Sequence, residues 1–373
     1  MNPFKYGAVV RGEYFYDRRE ELQRIVATLS GGNNIVLFAP RRYGKTSLVF
    51  RAIEELEGKG FACVYFDFMP IYSRESFIEA YAKSILAKQG NWEKAVKKVA
   101  SLVTGIKLGL TLDQAGVPEF SVNFADTKVN EKTLQEILEM PERLAGEGKK
   151  FVVVFDEFQE IGKLNGENFE GLLRSTIQRQ QSVNYLFLGS RTHVLNDMFN
   201  NKTRAFYDSA MSMQLESLPE AESAAHLQKR FGESNIGIGD HEARFLISQA
   251  GNIPYYIQLL AAEVWQNLVP GPAEVTEKTI LECAGRILEL KSDYYTELFD
   301  RHSAVQKRLL KALVVCGDGV FSAEYSNTFR LPALSTTQKA LSGLIESGIV
   351  EKMQSHYAIG DPFFRLFIKN YAF

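Results

Sequence analysis

The 373-residue chain is long enough for two or three domains, and 45% hydrophobic with 24% charged residues is the composition of an ordinary globular protein. A formal net charge of -2 argues against a protein dedicated to polyanions, although it leaves room for a local basic face. The three cysteines form no CxxC pair, the five histidines show no metal-ligand spacing, and no apolar run is long enough to span a membrane. We therefore expect a cytoplasmic protein with free thiols, no zinc site and no membrane partner.

The amino-terminal half alternates helical and strand patterns. Short apolar runs predict strands, and amphipathic stretches that end at glycine predict helices. The expected strands cover 34–39, 61–68, 151–157 and 183–190, and the expected helices cover 17–32, 46–60, 74–89 and 131–146. This alternation predicts an α/β fold with a parallel sheet. The stretches "IKLGLTL" and "FSVNF" have a period of two and predict a β-hairpin inserted at about 104–126.

The pattern becomes helical from about residue 219. From about 302 it runs helix, short helix, helix and two short strands, which is the winged-helix order. The closing stretch "DPFFRLFI" predicts a packed helix with Phe363, Phe364 and Phe367 in the core. We therefore expect an α/β domain over 1–218, a helical lid over 219–300 and a winged-helix domain over 301–373.

The stretch "FAPRRYGKTS" nearly matches the phosphate-binding P-loop, with Ala39 in place of its first glycine. Pro40 favours an extended Ala39, a conformation that alanine adopts without strain. In this register Lys45 would face the β- and γ-phosphates and Thr46 would bind Mg²⁺, at a helix start that favours anions. The predicted nucleotide-binding residues are Pro40, Arg41, Arg42, Tyr43, Gly44, Lys45, Thr46 and Ser47. The alternative is an ordinary basic turn between a strand and a helix.

A second motif is "VVVFDEFQE", in which two acids end an apolar strand like a Walker B motif. There Asp156 would hold Mg²⁺ and Glu157 would polarise the attacking water, although adjacent acids at a strand end can also be merely solvated. After the next strand, "FLGSRT" offers Ser190, followed by Arg191 and Thr192, to contact the γ-phosphate or its water. Arg204 is either an arginine finger or a solvated surface arginine.

Together these stretches resemble AAA+-type P-loop ATPases, and within them the archaeal-type ATPases related to the STAND and origin-recognition proteins. The resemblance rests on "FYDRREEL", "APRRYGKTSL", "FVVVFDEFQEI", "GNIPYYIQLL" and "YAIGDPFFRLFI". It implies a three-layer ATPase domain, a helical lid and a carboxyl-terminal winged helix.

The same resemblance implies further site residues. The segment from Phe15 to Arg18 would border the adenine, and the "GNIP" segment, with Asn252 and Pro254, would bring the lid to the nucleotide. The sequence departs from the family pattern at Asp17, where glycine is usual. No clear sensor-2 arginine is evident on the lid, so we expect hydrolysis to be slow or partner-dependent.

The expected function is an ATP- or ADP-controlled switch that acts on the winged helix, with slow Mg²⁺-dependent turnover. Residues 302–373 hold eight Lys or Arg and five Asp or Glu, a balance of +3, which allows contact with double-stranded DNA. Its candidate contacts are Gln338, Lys339, Lys352 and Gln354. The domain could instead contact a protein partner, another copy of the chain or the ATPase domain itself. Two other functions remain open: a DNA-binding module with a structural nucleotide, and a small-molecule kinase.

Overall fold

The computed structural model describes residues 2–10, 12–88, 99–101, 103, 105–112, 118–124, 130–145, 150–164, 166–190, 192–269, 272–353 and 356–371. The chain forms two compact units. The sheet unit comprises Arg18–Ala39 and Leu48–Leu215, and the helical unit comprises Met1–Asp17, Pro40–Ser47 and Glu216–Phe373. The boundary near 216 lies close to the predicted one at 218. The phosphate loop, however, groups with the lid and winged-helix regions.

The sheet unit contains a five-stranded parallel sheet in the order β2-β5-β6-β1-β7. Its strands are β1 (Ile35–Phe38), β2 (Ala62–Asp67), β3 (Ile106–Leu112), β4 (Pro118–Phe124), β5 (Phe151–Asp156), β6 (Val183–Gly189) and β7 (Met211–Gln214). Its helices are α1 (Arg19–Ser30), most of α2 (Lys45–Gly58), α3 (Arg74–Leu86), α4 (Glu131–Leu138), α5 (Met140–Ala145), α6 (Gly166–Arg179) and α7 (Thr192–Asn200). The predicted α/β fold with a parallel sheet is confirmed.

Strands β5 and β6 are buried along their whole length, which explains their continuous apolar sequences. Aromatic rings fill the core beside them. Those in mutual contact are Phe66, Phe68, Phe77, Tyr81, Phe155, Phe158, Tyr185, Phe187, Phe199 and Phe206. Burying one such side chain contributes roughly 1.5–3 kcal/mol, so this core fixes the end of β5 firmly.

Two features of the sheet unit differ from the sequence prediction. The helix expected over 131–146 is two helices, α4 and α5, because Pro141 has no N–H to continue α4 and fits only in a first turn. Strand β7 was not predicted, since "MSMQ" has no apolar run and depends on its pairing with β1. The expected hairpin strands β3 and β4 do pair antiparallel, and the turn at 113–117 lies outside the described residues.

The helical unit contains the remaining elements. Its helices are α8 (Glu220–Gly232), α9 (Asp240–Gln249), α10 (Pro254–Leu268), α11 (Glu277–Leu290), α12 (Ser292–Asp300), α13 (Ala304–Val315), α14 (Ala323–Thr328), α15 (Leu334–Glu346) and α16 (Pro362–Tyr371). Its strands are β8 (Ile236–Gly237), β9 (Ala273–Glu274), β10 (Val350–Met353) and β11 (His356–Ile359). The order α13, α14, α15, β10, β11 and α16 is the predicted winged-helix order. Across the described part of the chain, no helix is both long and apolar enough to cross a membrane.

Helix α16 packs through its aromatic face, as its sequence predicts. Phe363, Phe364 and Phe367 are all buried, and Phe364 and Phe367 lie against the ring of Tyr295 on α12. Gly251 explains how closely α16 approaches the loop before α10. It has a φ of +64°, and an added Cβ would lie 3.2 Å from Pro362, so glycine is favoured both by conformation and by space.

We predict that Glu351 makes the helical unit less stable at alkaline pH. Burial raises the pKa of its carboxyl to about 7, and the nearby Arg42 charge opposes the shift. Because the folded pKa exceeds the ordinary value of 4.5, the stabilising proton is fully held below about pH 4.5 and lost as the pH rises through 7. Glu351→Gln should therefore melt above the parent at pH 8 and close to it at pH 4.5. Equal melting differences at both pH values, measured on the full chain, would contradict the prediction.

Candidate functional site

The parallel sheet brings the carboxyl ends of β1, β5 and β6 to one edge. Phe38 at the end of β1 pairs with Gly189 of β6, and Asp67 at the end of β2 pairs with Asp156 of β5. Ser190 directly follows β6, and the phosphate loop continues the chain after β1. Ligands of open parallel sheets bind at this edge, so the fold collects the predicted chemical groups at strand ends.

Asp156 is buried, with 6% of its surface exposed, and hydrogen bonds fix its carboxylate. The Tyr65 hydroxyl donates to Oδ2, and the Glu157 backbone N–H donates to Oδ1 at 2.8 Å. Burial, followed by the Asp156 charge, raises the pKa of Tyr65, so its hydroxyl remains a proton donor. The sequence prediction missed Tyr65. Its only signal was a polar hydroxyl in the otherwise apolar run "ACVYF" of β2.

Glu157 has a φ of 49°, an unusual left-handed conformation for a residue with a side chain. Such a conformation costs roughly 1–2 kcal/mol. The Ser190 hydroxyl donates to Glu157 Oε2 at 2.9 Å, and Gln159 Nε2 donates to the same oxygen. Ser190 thus lies against Glu157, while its predicted contact with the γ-phosphate or its water stays a prediction.

Gln159 is a second residue that the sequence did not indicate. It is 8% exposed, and no hydrogen-bond partner accompanies its Oε1 among the described residues. An added Cβ at Gly189 would lie 2.1 Å from this oxygen, so the glycine leaves room for the amide. A buried oxygen of this kind can accept a hydrogen bond from water. Gln159 Oε1 is therefore a candidate acceptor for a hydrogen bond from water.

Three acids, Asp67, Asp156 and Glu157, lie near one another at the strand edge. The pKa of Asp67 is raised by burial, with the Met69 N–H opposing the shift and the charges of Asp156 and Glu157 adding to it. A divalent cation would relieve this repulsion. Within the described ranges no three His, Cys, Asp or Glu side chains are grouped to hold a metal ion. The carboxylates at this edge fit Mg²⁺, which commonly uses one or two carboxylates together with substrate phosphates.

The phosphate loop has the backbone of an anion-binding turn. Arg42 and Gly44 have φ angles of 74° and 80°, and α2 begins at Lys45. A left-handed turn before a helix start directs successive N–H groups toward an anion. Ala39 is fully buried and has no positive φ, which explains why glycine is not required there. Lys45 is buried, with 7% exposed.

Contacts inside the helical unit fix the loop. The Arg42 carbonyl accepts a hydrogen bond from the Tyr255 N–H at 3.3 Å, and Pro254 begins α10 just before it. Proline suits the first helical position, since its missing N–H would have no partner inside the helix. The Ser47 hydroxyl accepts from the Val10 N–H at 3.0 Å. These contacts place Pro254 and Ser47 beside the loop, and their roles toward a nucleotide stay predictions.

The remaining candidates have partners of their own. Arg18 is buried and donates to Glu21 at 2.8 Å, so its use beside an adenine stays a prediction. Next to Phe15, the Tyr16 ring stacks on His226 with centroids 3.7 Å apart. Burial lowers the pKa of His226 to about 3, so this imidazole is neutral. Arg191 lies outside the described residues.

Arg204 binds two carboxylates of the sheet unit. It contacts Glu170 and Asp197 at 2.8 Å each, and the hydrogen bond that it donates to Glu170 is the main cause of its raised pKa. Acting as an arginine finger would require it to leave both partners. The finger assignment stays a prediction, and the geometry favours a structural role.

Family models match both parts of the chain. Residues 15–184 match a model described as an ATPase domain predominantly from Archaea. These residues are therefore similar to archaeal ATPase domains. Residues 293–370 match a model described as "Probable winged helix domain". Both agree with the resemblance drawn from the motifs.

Individual relatives agree with this assignment. An uncharacterized ATP-binding protein of Methanocaldococcus jannaschii is 28% identical over 172 residues, 41% of this chain and 45% of the relative. A Walker-type ATPase of Pyrococcus abyssi has a similar fold, with a TM-score of 0.68, 17% identity and coverage of 98% of this chain and 99% of that one. The ORC1 protein of Aeropyrum pernix, solved in complex with DNA, gives a TM-score of 0.50 at 12% identity, covering 97% and 96%. The two structural likenesses concern the fold alone.

The chain spans about half the length of the Methanocaldococcus jannaschii relatives that it matches. The match of residues 15–184 and the ATP-binding relatives support ATP binding by this part of the chain.

We predict that Arg204→Gln lowers stability more than it lowers ATP turnover. Glu170 is buried, and without Arg204 it would lose its charged partner, at a cost of about 1–3 kcal/mol. Thermal unfolding and turnover should be measured together, with Arg51→Gln as the control, since its pair with Glu54 is exposed and should contribute little. A turnover loss of about 10³-fold without loss of stability would instead identify an arginine finger.

Proposed function

We propose that this chain is an ATP-binding switch with slow, Mg²⁺-dependent hydrolysis, whose nucleotide state acts on the winged helix. The observation that carries the proposal is the pair of acids that ends β5. Asp156 is buried and held by Tyr65, and Glu157 is oriented by Ser190 and Gln159. Two adjacent carboxylates in different hydrogen-bonding surroundings suit two different roles.

Each role follows from the chemistry of the side chain. Lys45 is the proposed cation for the β- and γ-phosphates of ATP or ADP, and the loop N–H groups bind their oxygens. Thr46 and Asp156 are the proposed oxygen donors to Mg²⁺, which supplies charge neutralisation at the phosphates when it is bound. Glu157 polarises the attacking water.

The hydrogen bonds of Glu157 support slow turnover. Ser190 and Gln159 both donate to Oε2 and so stabilise the charged carboxylate. An oxygen that already accepts two hydrogen bonds has less capacity left to accept one from water. Turnover then depends on a rearrangement that redirects Glu157, which a partner could supply.

We predict that substitution of Lys45 weakens ATP binding, whereas substitution of Glu157 abolishes hydrolysis and leaves binding intact. We expect Lys45→Ala to weaken ATP binding about 10–100-fold, the effect of losing a charged hydrogen bond, and calorimetry measures this.

Glu157→Gln should bind ATP like the parent yet lose turnover, because an amide keeps the shape but cannot accept the proton. Asp156→Asn should mainly change the Mg²⁺ dependence. Parental turnover in both acid variants would exclude the proposed chemistry and favour a module with a structural nucleotide.

We further propose that the winged helix binds double-stranded DNA mainly through its charge. The balance of +3 over 302–373 and the exposed Lys339 and Lys352 support this proposal, as does the fold shared with an ORC1 protein solved with DNA. Exposed base-reading groups are few on α15, where Gln338 precedes Lys339, and Gln354 lies outside the described residues. Contact should therefore be made to phosphates rather than to bases.

A salt series tests this proposal. Affinity should fall steeply with salt and vary little with duplex sequence, and Lys339→Ala and Lys352→Ala should each lower the salt slope by about one. Salt-insensitive binding to one preferred duplex would contradict the electrostatic version. Absence of binding at low salt, with and without ATP, would exclude DNA. A change in turnover or mass on deletion of 302–373 would then favour a protein partner or self-association.

A further inference from the structure

Arg42 has an unexpected position for a residue of a phosphate loop. Its backbone is left-handed, and its side chain is directed at other parts of the helical unit. The guanidinium lies 5.1 Å from the ring centre of Tyr255 and 4.8 Å from that of Tyr256, both on α10. Its Nη1 donates to Asp361 Oδ2 at 3.1 Å. The loop thus contacts both the lid and the winged helix through one residue.

Asp361 belongs to "GDPFFR", the stretch for which the proposed function gives no role. Besides Arg42, its carboxylate accepts the Tyr295 hydroxyl at 3.2 Å. It also accepts the backbone N–H groups of Phe363 and Phe364 at 3.0 and 3.2 Å, which caps the start of α16. Its side chain is 17% exposed, compared with 40% for Arg42. The carboxylate is therefore fixed on α16 and can serve as an anchor for the guanidinium.

We propose that Asp361 is a positioning residue for the phosphate loop, which acts through Arg42 and links the winged helix to nucleotide release. This inference rests on the proposed function, in which the loop binds nucleotide. An anion site made from backbone N–H groups depends on the backbone conformation that aims them. Arg42 has a left-handed backbone although it is not glycine. Contacts with other residues must therefore stabilise this conformation.

Contacts to the backbone and to the side chain of Arg42 stabilise this conformation. The Tyr255 N–H fixes its carbonyl, the two tyrosine rings hold the guanidinium by cation–π contact, and Asp361 binds its terminal nitrogen. Without the carboxylate, the loop is less ordered before nucleotide arrives, and binding then has to order it. A ligand or partner that moves Asp361 away from Arg42 would therefore weaken ADP binding. Because coupling is reciprocal, bound ADP would favour the contact between Asp361 and Arg42.

The test is ADP release, followed by displacement of a fluorescent ADP analogue from the full-length chain. Asp361→Asn removes the charge and keeps the helix cap, since asparagine caps as well as aspartate. We expect Asp361→Asn and Arg42→Gln each to speed release about tenfold, within the usual range of coupling between sites. The double variant should match the singles, because both changes break the same contact. Arg244→Gln, which breaks two exposed ion pairs, with Asp240 on α9 and Glu220 on α8, is the control and should release ADP like the parent.

The outcomes separate a positioning role from a merely structural one. A lower melting temperature with unchanged ADP release in Asp361→Asn would overturn the inference, as would additive effects in the double variant. Unchanged release in the variants alongside ADP binding by the parent would overturn the inference and leave the proposed function intact. Failure of the parent chain to bind ADP would overturn the proposed function and this inference with it.

Discussion

A parallel sheet places the carboxyl ends of all its strands at one edge, and the chemistry of this chain depends on that constraint. Strand β5 is buried from Phe151 to Asp156, so its acids can meet a ligand only where the strand ends. The aromatic core packed around Phe155 and Phe158 fixes that end in position. Tyr65, from the adjacent β2, then sets the orientation of the first acid. The parallel topology therefore explains both why β5 is buried and why its acids lie at the edge of the sheet.

Local sequence patterns predicted much of the fold and only part of the site. Apolar runs predicted β1, β2, β5 and β6, because a strand buried on both faces has to be apolar throughout. They did not predict β7, whose four residues pair with β1 and carry no pattern of their own. In the site, Lys45 and Asp156 follow from motif spacing. Tyr65 and Gln159 do not. Tyr65 contacts Asp156, which is distant in the chain, and the contact of Gln159 with Glu157 depends on the conformation of the turn after β5.

The contact between Arg42 and Asp361 also could not be predicted from local sequence patterns. They are 319 positions apart in the chain, and neither residue type at its position signals the other. The sequence predicted Arg42 as a nucleotide-binding residue of the loop and left Asp361 as part of a family-like stretch. Only tertiary packing shows that the arginine side chain is used within the helical unit. The proposed phosphate contact of Arg42 is made by its backbone, so the two uses are compatible.

Backbone strain marks the stretches in which chemistry was predicted. Among the described residues, eight non-glycine residues have a positive φ. Five of them, namely Asp17, Arg18, Arg42, Glu157 and Asn252, lie in the four motif stretches from "FYDRREEL" to "GNIPYYIQLL". Strained conformations persist only where surrounding contacts determine them, and they concentrate at binding sites and switches. Arg42 and Glu157 fit this rule, since each is held by partners outside its own turn. A nucleotide that altered either set of contacts would release strain there, and that release is a physical basis for the proposed switch.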